Sequence, residues 1–157
     1  GSPPLALANC QNKVMAKKLL NVNGIKPPPF FLVSDIPEKI KHDLKFPLMV
    51  KPAFEDASVG IENESIVKNK AELLSRMEHV IQNFTQPVLI EEFIEGRELN
   101  IAVFQDEGTR VLPISEIDFT EMPDHLHNIV SYQAKWEHWF TIINIQQNKF
   151  IVVDSGL

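Results

Sequence analysis

The chain has 157 residues, 44% of them hydrophobic and 23% charged, enough for one domain or two small lobes with a sizeable core. Its formal net charge of −6 argues against a general nucleic-acid surface, which needs clustered positive charge; its single cysteine, Cys10, excludes an internal disulfide and agrees with a reducing compartment. No run of about 18 apolar residues offers a membrane span, and the N-terminus lacks the charged-then-apolar order of a signal peptide.

Residues 1–8 are apolar and contain proline, and read as the tail of something preceding rather than the start of a self-sufficient domain. The stretch 12–22 has helical spacing, with Val14, Ala16, Leu19 and Leu20 available for packing and Gly24 as its stop. Lys13 falls in the first turn, where a cation opposes the helix dipole. It is either a solvated lysine or one held there for an anion. Three prolines, Pro27, Pro28 and Pro29, lead into Phe30-Phe-Leu-Val33, which reads as an edge strand. Residues 37–44 read as a short surface helix.

Leu48, Met49 and Val50 form an apolar run bounded by Pro47 and Pro52, the pattern of a brief buried strand, and Lys51 stands at its end. A lysine placed directly after core residues either snorkels to solvent or meets an anion. The small-residue loop through Ser58 and Gly60 offers backbone N–H groups of the kind that cradle phosphate oxygens, although it is not a Walker A loop. Residues 65–67 give another short strand. Asn69 with Glu72 then matches a capping box, opening a helix to about Phe84 that buries Leu73, Leu74, Met77, Val80, Ile81 and Phe84. His79 reads as a surface residue on it.

Residues 88–104 read as two apolar strands flanking an acidic turn, a hairpin bent at Gly96 with Glu91, Glu92, Glu95 and Glu98 crowded about it. Such a turn is either a charged edge that discourages aggregation or a hinge that accepts hydrogen bonds from a polar ligand. Residues 109–117 form a further strand, with 105–108 as the turn before it and Glu116 as a carboxylate among apolar neighbours. His125 and His127 lie two apart in a polar loop, but no Cys or carboxylate partner stands at a recognisable zinc spacing. Residues 129–136 resume a strand, and 139–145 and 150–153 read as two more.

In order along the chain, Asn12-Lys13, Lys17-Lys-Leu-Leu20, Phe46-Pro-Leu-Met-Val-Lys-Pro52, Ala57-Ser-Val-Gly-Ile61, Leu89-Ile-Glu-Glu-Phe-Ile-Glu-Gly-Arg-Glu98 and Tyr132-Gln-Ala-Lys-Trp136 resemble the ATP-grasp fold, and within it the D-alanine–D-alanine ligases. The resemblance implies an α+β fold. Residues 1–11 would be the tail of an N-terminal domain, 12–86 a small α+β lobe, and 87–157 an incomplete antiparallel-sheet lobe. It implies ATP and magnesium as cofactors. Lys13, Lys51 and Lys135 would reach the phosphates, Ser58 and Gly60 would cover them, Glu91 and the backbone near Ile94 would recognise adenine, and Glu98 the ribose. Three cations offset a triphosphate, and glutamates accept from the adenine amine or ribose hydroxyls.

In such enzymes ATP phosphorylates a carboxylate and an amine attacks the acyl phosphate, so the implied partners are a nucleotide and amino-acid or peptide substrates. Neither a nucleic acid nor a membrane is implied. The cytoplasm is the implied location and a homodimer one candidate assembly. Two departures point away from D-alanine itself: Asp56-Ala57 stands where the family loop has glycine and serine, and Trp136 where the ligases often have tyrosine. The last strand supplies one candidate magnesium ligand, Asp154, with Gly156 where the family has asparagine. The expectation is therefore an ATP-binding part of a carboxylate–amine ligase that does not ligate alone. The rival is a non-catalytic remnant serving as an interaction or structural module.

Overall fold

The computed structural model describes residues 1–38, 40–137, 141–144 and 149–151, in two compact units, Gly1–Ile94 and Glu95–Leu157. In the first unit helix α1 (Pro4–Gln11) begins with Pro4 at a first-turn position, where a missing N–H costs nothing. It is absent from the sequence reading because no polar cap or apolar periodicity marks it. Helix α2 (Lys13–Val22) is capped by Asn12, whose side chain accepts from the Met15 N–H at 3.0 Å. It ends in a Schellman turn in which Ile25 N–H reaches Leu20 O and Gly24 N–H reaches Asn21 O, with Gly24 at φ +81.

Strands β1 (Phe30–Val33), β2 (Leu48–Pro52), β3 (Ile66–Val67) and β4 (Val88–Glu92) form one antiparallel sheet in the order β1-β4-β2-β3. Helix α3 (Lys70–Phe84) packs on one face. Side chains alternate between the faces of a strand: Leu48 and Val50 of β2, Val88 and Ile90 of β4, and Val67 of β3 meet Leu73, Met77 and Val80 of the helix in the core. Each such fully buried side chain contributes about 1.5–3 kcal/mol. Asn69 caps α3 by accepting from Ala71 and Glu72 N–H, as its spacing predicts, while the Glu72 carboxylate reaches back to Lys68 N–H at 2.6 Å. The alternate positions Met49, Lys51, Leu89 and Glu91, with Phe30 opposite Glu91, face the other side of the sheet.

The second unit has strands β5 (Glu98–Asn100), β6 (Val103–Gln105), β7 (Thr109–Val111), β8 (Ser115–Asp118), β9 (Thr141–Asn144) and β10 (Lys149–Ile151). Four make an antiparallel sheet in the order β10-β9-β8-β5, and β6 and β7 pair as a separate hairpin across the predicted turn. Helix α4 (Tyr132–Glu137) places Ala134 in the interior, and Ile117, Met122 and Ile129 are also buried.

Four expectations are corrected. Residues 88–104 are not a hairpin: β4 pairs with β1 and β2, whereas β5 pairs with β8. The described residues of 37–44 are not helical. Ile40 and Leu44 instead pack on the core and His42 stacks on Phe31 with centroids 5.5 Å apart, so a two-residue alternation wins over local helix preference. Residues 109–117 are two strands rather than one. Residues 132–137 are a helix, because Ser131 accepts the Ala134 N–H at 3.1 Å and caps it; the preceding Ile129-Val130 suggests a strand and hides that cap.

Candidate functional site

The side of the first unit's sheet away from α3 gathers charge. Lys51 stands opposite Leu89, which puts Glu91 on the same face as its diagonal neighbour, and Lys51 Nζ donates to Glu91 Oε1 at 2.6 Å. From α2, Lys17 Nζ lies 2.5 Å from Glu91 Oε2 and 5.3 Å over the Phe30 ring centroid. The carboxylate is thus held between two cations, with the three side chains only 10–17% exposed. Burial pushes the Glu91 carboxyl up, but the charge and hydrogen bonds of Lys51 and Lys17 outweigh it, and its pKa falls below the ordinary 4.5.

Lys13 lies one helical turn from Lys17, so both project from one face of α2. Its backbone N–H donates to Ala53 O at 3.2 Å, tying the start of the helix to the end of β2, and its Nζ donates to the Glu55 carbonyl. Burial and the neighbouring Lys51 charge depress its pKa from 10.5, against the opposing pull of Asp56, Glu55 and Glu91. Two lysines that raise each other's electrostatic cost in a half-buried setting make a site that favours an added anion. Gln86 fixes the segment just after β2, donating to Glu55 Oε1 and accepting from Phe54 N–H, both at 2.7 Å.

The loop through Ser58 and Gly60 follows. Ala57 and Ser58 adopt left-handed φ of 51 and 63, and Asp56 Oδ1 accepts the Ala57 N–H at 2.7 Å. The Val59 and Ile61 N–H groups are bonded inside the loop, to Asp56 O and Ser58 O. Gly60 has φ +72, and a Cβ there lies 2.6 Å from Pro52 Cγ and 2.9 Å from Phe84 Cζ. Both the backbone and the packing require glycine, so Gly60→Ala is expected to destabilise the first unit by about 2 kcal/mol, read as a lower urea midpoint. An unchanged midpoint would show that the loop relaxes freely.

Arg76, from α3, anchors this loop from below. Its Nη2 donates to Gly60 O at 2.9 Å and Ser65 Oγ at 3.0 Å, and its Nη1 to Glu62 Oε2 at 2.5 Å. It is 5% exposed.

The first unit therefore holds Lys13, Lys51, Ser58, Gly60 and Glu91, and the exposed Ile94 at its end. In the second unit Glu98 opens β5, and Lys135 lies in α4 with its N–H on Ser131 O at 3.3 Å. Asp154 lies outside the described residues. Glu116, singled out as a lone carboxylate, forms a two-pronged pair with Arg97, Nε to Oε1 and Nη2 to Oε2, each 2.6 Å. Among the described residues no three His, Cys, Asp or Glu side chains group so as to hold a metal ion, and no helix is long and apolar enough to cross a membrane.

Lys17, Glu55 and Arg76 are the site residues that sequence reasoning passed over. The four-residue interval between Lys13 and Lys17 is a usable signal. For Arg76 the signal is a charged residue in the midst of an apolar helical stripe, between Leu73 and Met77.

The family described as D-ala D-ala ligase C-terminus matches residues 24–151. The uncharacterized protein y4sG of Sinorhizobium fredii is 32% identical over 136 residues, 87% of this chain and 38% of its own length. A D-alanine–D-alanine ligase of Bacillus anthracis is 33% identical over 146 residues, 90% of this chain and 43% of that enzyme. The crystal structure of D-alanine–D-alanine ligase from Bacillus anthracis complexed with ATP superposes with a TM-score of 0.59 at 27% identity, covering 87% of this chain and 39% of that one. The chain thus spans about two fifths of the length of these relatives.

Proposed function

Because this chain belongs to the D-alanine–D-alanine ligase family, matching its C-terminal part within the ATP-grasp fold, we propose that it is the ATP-binding part of a carboxylate–amine ligase. The observation that carries the reading is the meeting of Lys13 and Lys51 with the loop through Ser58 and Gly60 in one unit. Two half-buried ammonium groups suit the phosphates of a nucleotide, while the loop beside them, whose Ala57, Val59 and Ile61 N–H groups are bonded internally rather than offered as the sequence suggests, covers the phosphates instead of cradling them. In this reading Glu91 and the backbone near Ile94 take the adenine, Glu98 the ribose and Lys135 a further phosphate.

The reaction is proposed as phosphoryl transfer from ATP to an amino-acid or peptide carboxylate, followed by attack of an amine on the acyl phosphate. Lys13 and Lys51 neutralise phosphate charge, and catalysis is otherwise positioning. Magnesium is proposed to arrive with the phosphates it neutralises, with Asp154, outside the described residues, as its candidate protein ligand. Asp56-Ala57 in the loop argues for a substrate other than D-alanine. A single cysteine fits a cytoplasmic setting. A homodimer is the candidate assembly, checked by light scattering.

Titration calorimetry with ADP and magnesium tests the reading. The chain is expected to bind, and Lys51→Ala to weaken binding at least tenfold, about the worth of one charge-assisted hydrogen bond. No heat from the unaltered chain sinks the nucleotide reading and leaves the interaction module. Added ATP and D-alanine are expected to release no phosphate; clear turnover overturns the claim that this chain does not ligate alone.

A further inference from the structure

Lys51 and Glu91 pose a conflict that the nucleotide reading leaves open. Lys51 Nζ lies on Glu91 Oε1 at 2.6 Å, so a phosphate that recruits Lys51 must draw it from a carboxylate only 10% exposed. Removing one partner from a buried ion pair leaves the other charge uncompensated, which is among the costliest changes a protein interior undergoes. A site built of these two residues alone resists its own ligand.

Lys17 resolves the conflict. It sits on the opposite oxygen, Oε2, at 2.5 Å, and is itself 12% exposed. Its ammonium also lies over the Phe30 ring, on the strand next to Glu91, which fixes where the side chain ends. Lys51 shares a field with Lys13, whose pKa its charge depresses, so an anion arriving between those two relieves their repulsion. The arrangement is one carboxylate with two cations, one facing the phosphate lysine and one packed on an aromatic ring.

We propose that Lys17 is a positioning residue: it keeps Glu91 neutralised and in place when Lys51 turns from the carboxylate to a phosphate. The role rests on the nucleotide reading above. Lys17 touches no ligand in it and acts through Glu91. Without Lys17, Glu91 has one cation, Lys51 is trapped on it, and phosphate affinity falls although both phosphate lysines remain.

The measurement is ADP–magnesium calorimetry on the unaltered chain, Lys17→Met, Lys17→Arg, Glu91→Gln and the Lys17→Met/Glu91→Gln pair. Lys17→Met is expected to lose at least tenfold in affinity and Lys17→Arg, which keeps the charge, less than threefold. Glu91→Gln loses affinity of its own with the adenine contact, but on that background Lys17→Met is expected to cost less than threefold more, because a neutral amide no longer holds Lys51; such coupling between neighbours is what a double-mutant cycle reads. A merely structural Lys17 produces additive losses, the same at least tenfold cost with Glu91→Gln as without it. An unaltered chain that takes up no ADP overturns the nucleotide reading and this role with it. An unaltered chain that binds, beside a Lys17→Met variant that binds equally well or a Lys17→Met loss that is the same with Glu91→Gln as without it, overturns the role of Lys17 alone. Should Lys17→Met fail to fold, the Lys17→Arg variant decides, a loss above tenfold with the charge kept counting against the proposal.

Discussion

Arg76→Ala is expected to lower the stability of the first unit by about 4 kcal/mol, in the range for breaking a buried, hydrogen-bonded charge network. The guanidinium makes three hydrogen bonds, to Gly60 O, Ser65 Oγ and Glu62 Oε2, from a position 5% exposed. Truncation removes the Arg76 donor from the Gly60 carbonyl, leaves the fully buried Ser65 hydroxyl with the Glu62 N–H at 3.0 Å, and opens a cavity beside the loop. Arg76→Lys is expected to recover little, since one ammonium cannot supply the planar fork that reaches three acceptors. Urea denaturation checks both. If either variant stayed within about 1 kcal/mol of the unaltered chain, the typical effect of a substitution at large, the loop would not depend on this anchor. ADP affinity should fall together with stability, because the loop through Ser58 and Gly60 loses its support.

Glu91→Gln is the second large effect, about 3 kcal/mol at neutral pH, because it leaves Lys51 and Lys17 without their counter-charge in a nearly closed setting. It also carries a signature in pH. Burial raises the carboxyl pKa, the two lysines lower it further, and the folded value lies below the ordinary 4.5. As pH falls, the unfolded chain therefore takes up this proton before the folded one does, so the stabilisation is complete above pH 4.5 and drains away below it. Denaturation midpoints measured from pH 6 downward should fall more steeply for the unaltered chain than for Glu91→Gln, the two curves converging at the acid end. Parallel curves would show that Glu91 is not held as an ion pair. Lys13 moves stability in the same direction with pH but in an alkaline window: its folded pKa is depressed from 10.5, so the unfolded chain holds its proton to higher pH and the cost of its charge is relieved as pH approaches 10.5.

The residues that could be read without a structure are those whose environment is set by near neighbours. Asn69 stands ahead of helical periodicity and caps α3 as its spacing predicts, because the N–H groups it satisfies lie two or three positions along the chain. Gly24 ends α2 for an equally local reason. Leu48, Met49 and Val50 form a buried strand as their apolar run implies, and Lys51 at its end meets an anion, one of the two fates open to it. The same ordered motifs carried the family, since motif order and spacing survive in sequence even at about one-third identity.

What only the tertiary structure decided are the pairings between distant parts. The strand β4 could have turned back on 98–104, and its own residues fit either partner; it lies between β1 and β2 because that position buries Val88 and Ile90 against α3. Ile40 and Leu44 abandon a locally acceptable helix for the same core. Arg76 occupies an apolar helical stripe, and only a loop folded against it, 14 and 16 residues away in sequence at Glu62 and Gly60, turns a charge that belongs in water into an anchor. Lys17 looks like any solvated lysine of α2 until Glu91, far along the chain, is set 2.5 Å from it. Local chemistry sets caps, periods and turns; which carboxylate a lysine meets is set by the packing of a sheet, and no neighbour in the chain records it.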